Sequence, residues 1–235
     1  MIHNVINIVN QKGGVGKTTT AMNLAAAFTA IKHRVLLIDL DPQGNASTGL
    51  GVNDRKVNIY HLINHQKDWT KAVHRTALEN LYVIPATVDL AAAELNLRDF
   101  EERNFVIARL LKEFADQFDY VMIDCPPSLS MLTINALCAS RYLVIPMQAE
   151  FFALEGLSHL LKTIKTIQKN YSPKLEILGV LLTMYDRRNR LSEQVARDVR
   201  KHLGQQVFTT EIPRNVRITE APSHGLPVIA YDHRC

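Results

Sequence analysis

The residues best suited to chemistry lie in Asn10-Gln11-Lys12-Gly13-Gly14-Val15-Gly16-Lys17-Thr18-Thr19-Thr20. Glycines let successive backbone N–H groups turn inward on an anion, a helix N-terminus adds its dipole, Lys17 supplies a point charge, and the Thr18 hydroxyl can ligate Mg²⁺. The stretch therefore reads as a phosphate-binding loop. The usual pattern has glycine six residues before its lysine, but Gln11 stands there and an extra lysine, Lys12, follows it. Taken alone, Lys12 is either a second phosphate ligand or a solvated loop cation. Two acidic signals lie further along. Asp39 and Asp41, in Asp39-Leu40-Asp41-Pro42-Gln43-Gly44-Asn45, are two apart, so an extended chain carries both on one side and both can approach the phosphate pocket. Asp124 closes the apolar run Tyr120 to Asp124, where an acid beside a phosphate loop holds Mg²⁺, usually through its water shell.

Positioning these groups requires a scaffold, and the hydrophobic pattern supplies one. Short, nearly continuous apolar runs at Val5–Val9, Arg34–Leu40, Leu81–Ala86, Tyr120–Asp124, Tyr142–Met147, Leu175–Met184 and Val207–Ile212 predict strands buried on both faces. Helical patterns are predicted at Lys17–Ile31, Leu90–Leu97, Asn104–Phe118, Ala153–Tyr171 and Leu191–Leu203. Between Gly49 and Thr76 the signal is weak, with short amphipathic pieces at Ile59–Ile63 and Trp69–Val73. This βα rhythm predicts an α/β fold, a doubly wound, mostly parallel sheet flanked by helices, in a single domain over residues 1–235. Ligands of such sheets bind at the carboxyl ends of the strands, where the loop and the acids are predicted to meet.

Composition bounds the remaining possibilities. The chain has 235 residues, enough for one α/β domain with its own core. Hydrophobic residues make up 47% and charged residues 21%, which gives no compositional case for disorder. No apolar run approaches the roughly 20 residues that a bilayer requires, and Met1 leads into the first strand without a signal-type segment, so a cytoplasmic location is expected. Cys125, Cys138 and Cys235 are irregularly placed and read as plain thiols. His61 and His65 have i,i+4 spacing, but no glutamate lies between them and no third ligand is near, so a wet helix face is the reading. The net charge is +4 and the pI about 9.0. From Tyr185 to Arg217, eight cations (Arg187, Arg188, Arg190, Arg197, Arg200, Lys201, Arg214, Arg217) face four acids (Asp186, Glu193, Asp198, Glu211), an excess equal to that of the whole chain. Two loops thus concentrate the basic character, as a polyanion site or as a solvated face.

The segments KGGVGKT, DLDPQGN, IDCPPS, ALEGL (Ala153 to Leu157) and IPRNVRITEAPSHG (Ile212 to Gly225) together resemble the ParA/MinD family of P-loop ATPases with a deviant Walker A loop, and within it the ParA/Soj-type chromosome or plasmid partitioning branch. The resemblance spans nearly the whole chain, and its last block separates the partitioning branch from other members. It implies a nucleotide site at Lys12, Gly13, Gly14, Val15, Gly16, Lys17, Thr18 and Thr19, with the backbone around Pro213 and Asn215 bordering the adenine. Catalysis would fall to Lys17, to Lys12 reaching the other subunit's nucleotide, and to Asp41 orienting the attacking water, with Mg²⁺ held by Thr18, Asp39 and Asp124. ATP and Mg²⁺ are then the cofactors. The implied partners are a second copy of the chain in the ATP state, nonspecific double-stranded DNA bound through Arg187, Arg188, Arg190, Arg214 and Arg217, and a ParB-type centromere-binding protein that stimulates slow hydrolysis. The location would be cytoplasmic and nucleoid-associated, with no membrane involved.

Members of this branch continue past a YDPRSRG-like stretch into a final helix, whereas this chain has Tyr231-Asp232-His233-Arg234-Cys235, so that C-terminal helix is expected to be missing. A MinD-like membrane ATPase is the alternative, and it needs a C-terminal amphipathic helix that the sequence does not show. An iron–sulfur ATPase resembling the nitrogenase iron protein needs a cysteine pair that Cys125 and Cys138 do not resemble. A GTPase needs an Asn-Lys-x-Asp motif, and the strand ending at Met184 runs instead into Tyr185-Asp186.

Overall fold

Val5–Ile8 (β1) is apolar but for Asn7, and every residue in it is buried, so it can only lie inside a sheet covered on both faces. The computed structural model, which describes residues 4–234, places it so. The other strands are Val35–Asp39 (β2), His74–Arg75 (β3), Leu81–Ile84 (β4), Tyr120–Asp124 (β5), Tyr142–Gln148 (β6), Glu176–Tyr185 (β7) and Val207–Pro213 (β8). Their order across the sheet is β3-β4-β2-β5-β1-β6-β7-β8, parallel throughout except for the antiparallel β3 at one edge. The chain builds outward from β1 in both directions, as in a doubly wound sheet. The helices are Lys17–Ala30 (α1), Asn45–Gly49 (α2), Ile59–Ile63 (α3), Leu90–Asn96 (α4), Val106–Leu111 (α5), Met131–Ala139 (α6), Ala153–Asn170 (α7), Arg190–Leu203 (α8), Val216–Glu220 (α9) and Val228–Tyr231 (α10).

The period-2 alternation of the strands divides the core in two. Ile6, Ile8, Val35 and Leu37 face α1, which packs through Ala21, Met22, Ala25 and Ala26. Val5, Leu36, Ile38, Val121 and Ile123 face the opposite layer, formed by residues of α3 to α8. Small side chains let α1 lie close on the sheet, and this brings its N-terminus to the end of β1.

Several features depart from the expectations. The sequence pattern predicts no helix over α6, because MLTINALCA is apolar on every face and its helical period is hidden; Leu132, Thr133, Asn135, Ala136 and Leu137 are all buried. The single helix expected over Asn104–Phe118 is instead α5 followed by a 3₁₀ turn at Ala115–Gln117. At the break, Phe114 adopts φ −144 and packs its buried ring against Trp69, tilted at 31° with the centroids 5.2 Å apart, so a tertiary contact overrides the helix. β3 is also absent from the expected strands, being two residues long and partly exposed. His65 lies beyond α3 with a left-handed φ of 54, so His61 and His65 do not share a helix face. Cys235 lies outside the described residues.

Gly225 ties the C-terminal segment to the loop after α2. Its φ is +67, and a β-carbon there would meet the Gly51 backbone at 2.9 Å. We expect Gly225→Ala to lower stability by about 2–4 kcal/mol, from the left-handed backbone and the clash together. Gly156 in α7 has nothing within 4 Å of an added β-carbon. Gly156→Ala should raise stability by about 0.5–1 kcal/mol. Urea unfolding followed by circular dichroism checks both, and equal effects would contradict this account.

Candidate active site

The loop from Val9 to Gly16 leaves β1 and turns directly into α1. Asn10 holds its start: the side-chain Nδ2 donates to the Pro146 carbonyl at 2.7 Å, and Oδ1 accepts from the Lys12 N–H at 3.0 Å. Gly14 (φ 72) and Gly16 (φ 86) supply the left-handed turns that a side chain would resist. Gly16 caps α1 without any side-chain hydrogen bond, and no acid occupies the helix's first turn. The N–H groups of Gly13, Gly14, Val15 and Gly16 have no hydrogen-bond partner among the described residues. An anion is the missing acceptor that this geometry fits.

Lys17 is 6% exposed, and its Nζ donates to the Lys12 carbonyl at 3.0 Å. Burial pulls its pKa down, opposed by the charges of Asp124 and Asp41. Parallel pairing of β2 with β5 sets Asp39 in register with Asp124, both fully buried, and Asp41 follows at 7% exposure. Both carboxylate oxygens of Asp124 lack any hydrogen-bond partner. Burial and the neighbouring Asp39 push its pKa well up; the Thr18 hydroxyl is near enough to offset part of the rise, without reaching hydrogen-bond geometry. A desolvated carboxylate with free oxygens, beside a hydroxyl and further acids, is a donor set that suits a hard divalent cation. Among the described residues no group of three or more His, Cys, Asp or Glu could hold a metal by itself.

Asp39 presents no free oxygen. One accepts from the Ser47 N–H at 2.8 Å and the Ser47 hydroxyl at 2.6 Å, the other from the Asp41 N–H at 3.2 Å. Burial nevertheless raises its pKa to about 6. Its position fixes Asp41, whose Oδ1 accepts from the Gln43 N–H at 3.0 Å. Lys12 is exposed and its Nζ pairs with Glu150 at the end of β6, within the same chain. Cys125 is buried and donates to the Asn7 Oδ1 at 3.1 Å. Burial pushes the Cys125 thiol up, and the Cys138 thiol to about 12, so both are poor thiolate ligands.

The two basic loops meet at the far side of the sheet's carboxyl edge. Tyr185 ends β7 opposite Pro213, so the loop Asp186–Asn189 lies beside Arg214 and Asn215. Arg187, Arg188, Arg190, Arg214 and Arg217 are all exposed. Three have acidic partners: Arg187 with Glu211 at 3.3 Å, Arg188 with Asp186 at 3.1 Å, and Arg217 with Glu220 at 2.9 Å. Arg190 and Arg214 have none within 4 Å among the described residues. Asn215 Oδ1 caps α9 by accepting from the Arg217 N–H at 2.9 Å. Sequence reasoning missed Asn10, Ser47, Glu150 and Thr183, whose hydroxyl donates to the Val15 carbonyl at 2.8 Å. Their partners are fixed by the fold, and no local pattern announces them.

A phosphate loop after the central strand, facing acids at the ends of two neighbouring parallel strands, defines a P-loop nucleotide-binding protein. Residues 3–177 match the family model AAA_31, an AAA domain. Over 235 residues the chain is 51% identical to the chromosome partitioning protein ParA of Caulobacter vibrioides, covering 98% of this chain and 88% of that protein. It is 51% identical over 232 residues to the sporulation initiation inhibitor protein Soj of Bacillus subtilis, covering 98% and 92%. A similar solved structure is cobyrinic acid a,c-diamide synthase from Mycobacterium smegmatis with bound ATP analogue and magnesium, with a TM-score of 0.86 and 37% identity over 97% of this chain and 91% of that one. The chain belongs to the ParA/Soj family of partitioning ATPases.

The buried acids make stability pH-dependent. Because Asp39 and Asp124 have folded-state pKa values above the ordinary carboxylate value of 3.8, folding is favoured while they are protonated; Asp39's contribution is lost as pH rises through about 6, and Asp124's as pH rises through its own raised pKa. Melting without nucleotide, in EDTA, should show stability falling across that window. Asp124→Asn, which cannot ionise, should flatten the fall and abolish the added stabilisation that Mg²⁺ gives with ATP. A mutant slope like the native one would contradict the site's electrostatics.

Proposed function

We propose that this chain is an ATP-driven dimerisation switch for DNA segregation. The observation that carries the reading is the buried Asp124 carboxylate, both oxygens free, set beside Thr18 and Lys17 at the head of α1. ATP phosphates take the unpartnered N–H groups of Gly13 to Gly16 and those opening α1 at Thr18 and Thr19, with Lys17 on the β- and γ-phosphates. Thr18 and Asp124 hold Mg²⁺, and Asp39 acts on the shell from behind Ser47 and Asp41. The ion supplies charge neutralisation on the β- and γ-oxygens. Asp41 orients water for attack at the γ-phosphorus, giving ADP and phosphate. The Pro213 and Asn215 backbone borders the adenine.

Lys12 reaches the nucleotide of a second subunit. To do so it gives up Glu150, an exposed pair worth about 0–1 kcal/mol, for the higher charge of a triphosphate. The ATP-bound homodimer then presents its basic loops to double-stranded DNA without sequence preference, and a DNA-bound ParB-type partner stimulates hydrolysis and release. This places the protein on the nucleoid in the cytoplasm. Relatives at half identity are named ParA and Soj, which favours this branch over a MinD-like membrane ATPase. Among the described residues no helix is long and apolar enough to cross a membrane.

Lys17→Ala should abolish ATP binding, read by calorimetry. Lys12→Ala should bind ATP yet stay monomeric in size-exclusion chromatography with light scattering, while Asp41→Ala should form a persistent dimer because hydrolysis is slowed. Normal dimers from the first or normal turnover by the second would refute those roles.

Replacing Arg188, Arg214 and Arg217 by alanine should leave dimerisation intact and weaken binding to unrelated duplexes alike. The slope of log K against log salt should shrink by about 0.9 for each lost contact. Fluorescence anisotropy across a salt series measures both, and native-like binding by the triple mutant would leave the basic loops as a solvated face.

A further inference from the structure

Thr183 lies on β7, two strands away from the loop-bearing β1, yet its side chain reaches the phosphate loop. It is 4% exposed, and its hydroxyl donates to the Val15 carbonyl at 2.8 Å. A β-carbon added at Gly16 would lie 3.8 Å from it. The peptide unit that holds the Val15 carbonyl also holds the Gly16 N–H, one of the unpartnered donors facing the anion site. A peptide unit is planar and stiff, so an anion that draws in the Gly16 N–H turns the Val15 carbonyl with it. Movement at the phosphate is thereby felt at the Thr183 hydroxyl.

Beyond Thr183 the end of the sheet is irregular. Met184 has φ 49, a left-handed conformation uncommon for a residue with a long side chain. The β7–β8 register shifts between Leu182 and Tyr185. Tyr185 then pairs with Pro213, directly before Arg214. Asp186 accepts from the Arg188 N–H at 2.9 Å, its Nε at 3.1 Å and its Nη2 at 3.2 Å. One basic loop therefore leaves the strand end that is hooked into the phosphate loop, and the other leaves β8 at the residue paired with it.

We propose that Thr183 is a positioning residue that couples phosphate occupancy of the loop to the arrangement of the segments Asp186–Arg190 and Arg214–Arg217, within one subunit. Its effect on DNA rests on the basic loops binding DNA, as proposed above; its effect on loop arrangement does not. The hydroxyl holds the Val15 carbonyl in one loop state and yields it in the other, and Met184 is the joint that absorbs the difference. One hydrogen bond bounds the coupling at about tenfold in affinity.

The test compares the full-length native chain with Thr183→Val, which keeps the shape and loses the donor, and Thr183→Ser, which keeps the donor. Hydrogen exchange is followed by mass spectrometry with and without Mg-ATP, in a Lys12→Ala background as well, so that subunit contacts do not contribute. Addition of Mg-ATP should change protection of the amides at 184–190 and 214–217 in the native chain and in Thr183→Ser, but not in Thr183→Val, with ATP still bound. The ratio of DNA affinities with a nonhydrolysable ATP analogue and with ADP should fall up to about tenfold in Thr183→Val only. If Thr183→Val proves unstable, Thr183→Ala is read the same way. Native-like protection changes in a valine or alanine variant that binds ATP would overturn the coupling. Absence of DNA binding by the native chain in both states would overturn the DNA reading alone, because the exchange experiment still decides the coupling.

Discussion

The structure depends on an imbalance of charge at the carboxyl edge of the sheet. Asp39, Asp41 and Asp124 converge with a single buried cation, Lys17, where desolvation makes every uncompensated charge costly. Parallel pairing of β1, β5 and β2 is what brings them together: it stacks the ends of strands that are distant in sequence, and the apolar runs below exclude water. A fold that closed this edge with a salt bridge would leave no carboxylate oxygen or N–H group free for a cation or a polyphosphate. Here the edge is left incomplete on both counts, with free carboxylate oxygens on one side and free N–H groups on the other.

Much of this was legible in the sequence because each signal was local. A buried parallel strand reads as a short apolar run, and a phosphate loop reads as glycines between such a run and a helical pattern. β1, β2, β5, β6, β7 and β8 all fall where those runs predict, and so do α1, α7 and α8. The position of Asp124 could be anticipated because it stands last in an apolar run of a chain that also carries a phosphate loop and the DLDPQGN segment. Segment Asn104–Phe118 and α6 were not legible. In the first, Phe114 answers to Trp69, about 45 residues earlier, rather than to its helix neighbours. In the second, burial on all sides erases the polar face that makes a helix readable.

The supporting residues of the site fall in the same illegible class. Asn10 finds the Pro146 carbonyl, Lys12 finds Glu150, and Thr183 finds the Val15 carbonyl across 168 positions. Pro146 itself is informative: a proline in an inner strand normally argues against the assignment. It is tolerated because β1 stops pairing with β6 at Val144, and beyond that point the strand's carbonyl serves the loop. Ser47 likewise looks like an ordinary helix residue until the fold places its N–H and hydroxyl on Asp39.

The arginines show why counting charges along a sequence is too coarse. The nearest acidic partners of Arg188 and Arg217, Asp186 and Glu220, are exposed and lie within three residues of them, and Arg217 has a longer contact with Asp232 at 3.6 Å, so water screens the close pairs and a phosphate can take the place of the carboxylate. Arg187 is held differently. Its partner Glu211 is 14% exposed and also binds Arg200 at 2.7 Å, so one carboxylate staples α8 to β8 and to the loop before it. Drawing Arg187 away would disturb a shared, partly desolvated contact, whereas Arg190 and Arg214 have no acid within 4 Å among the described residues. Equal charges in one basic stretch thus divide into cations that fasten the loops and cations that the loops present, and Arg187, although its side chain is 84% exposed, belongs with the fasteners.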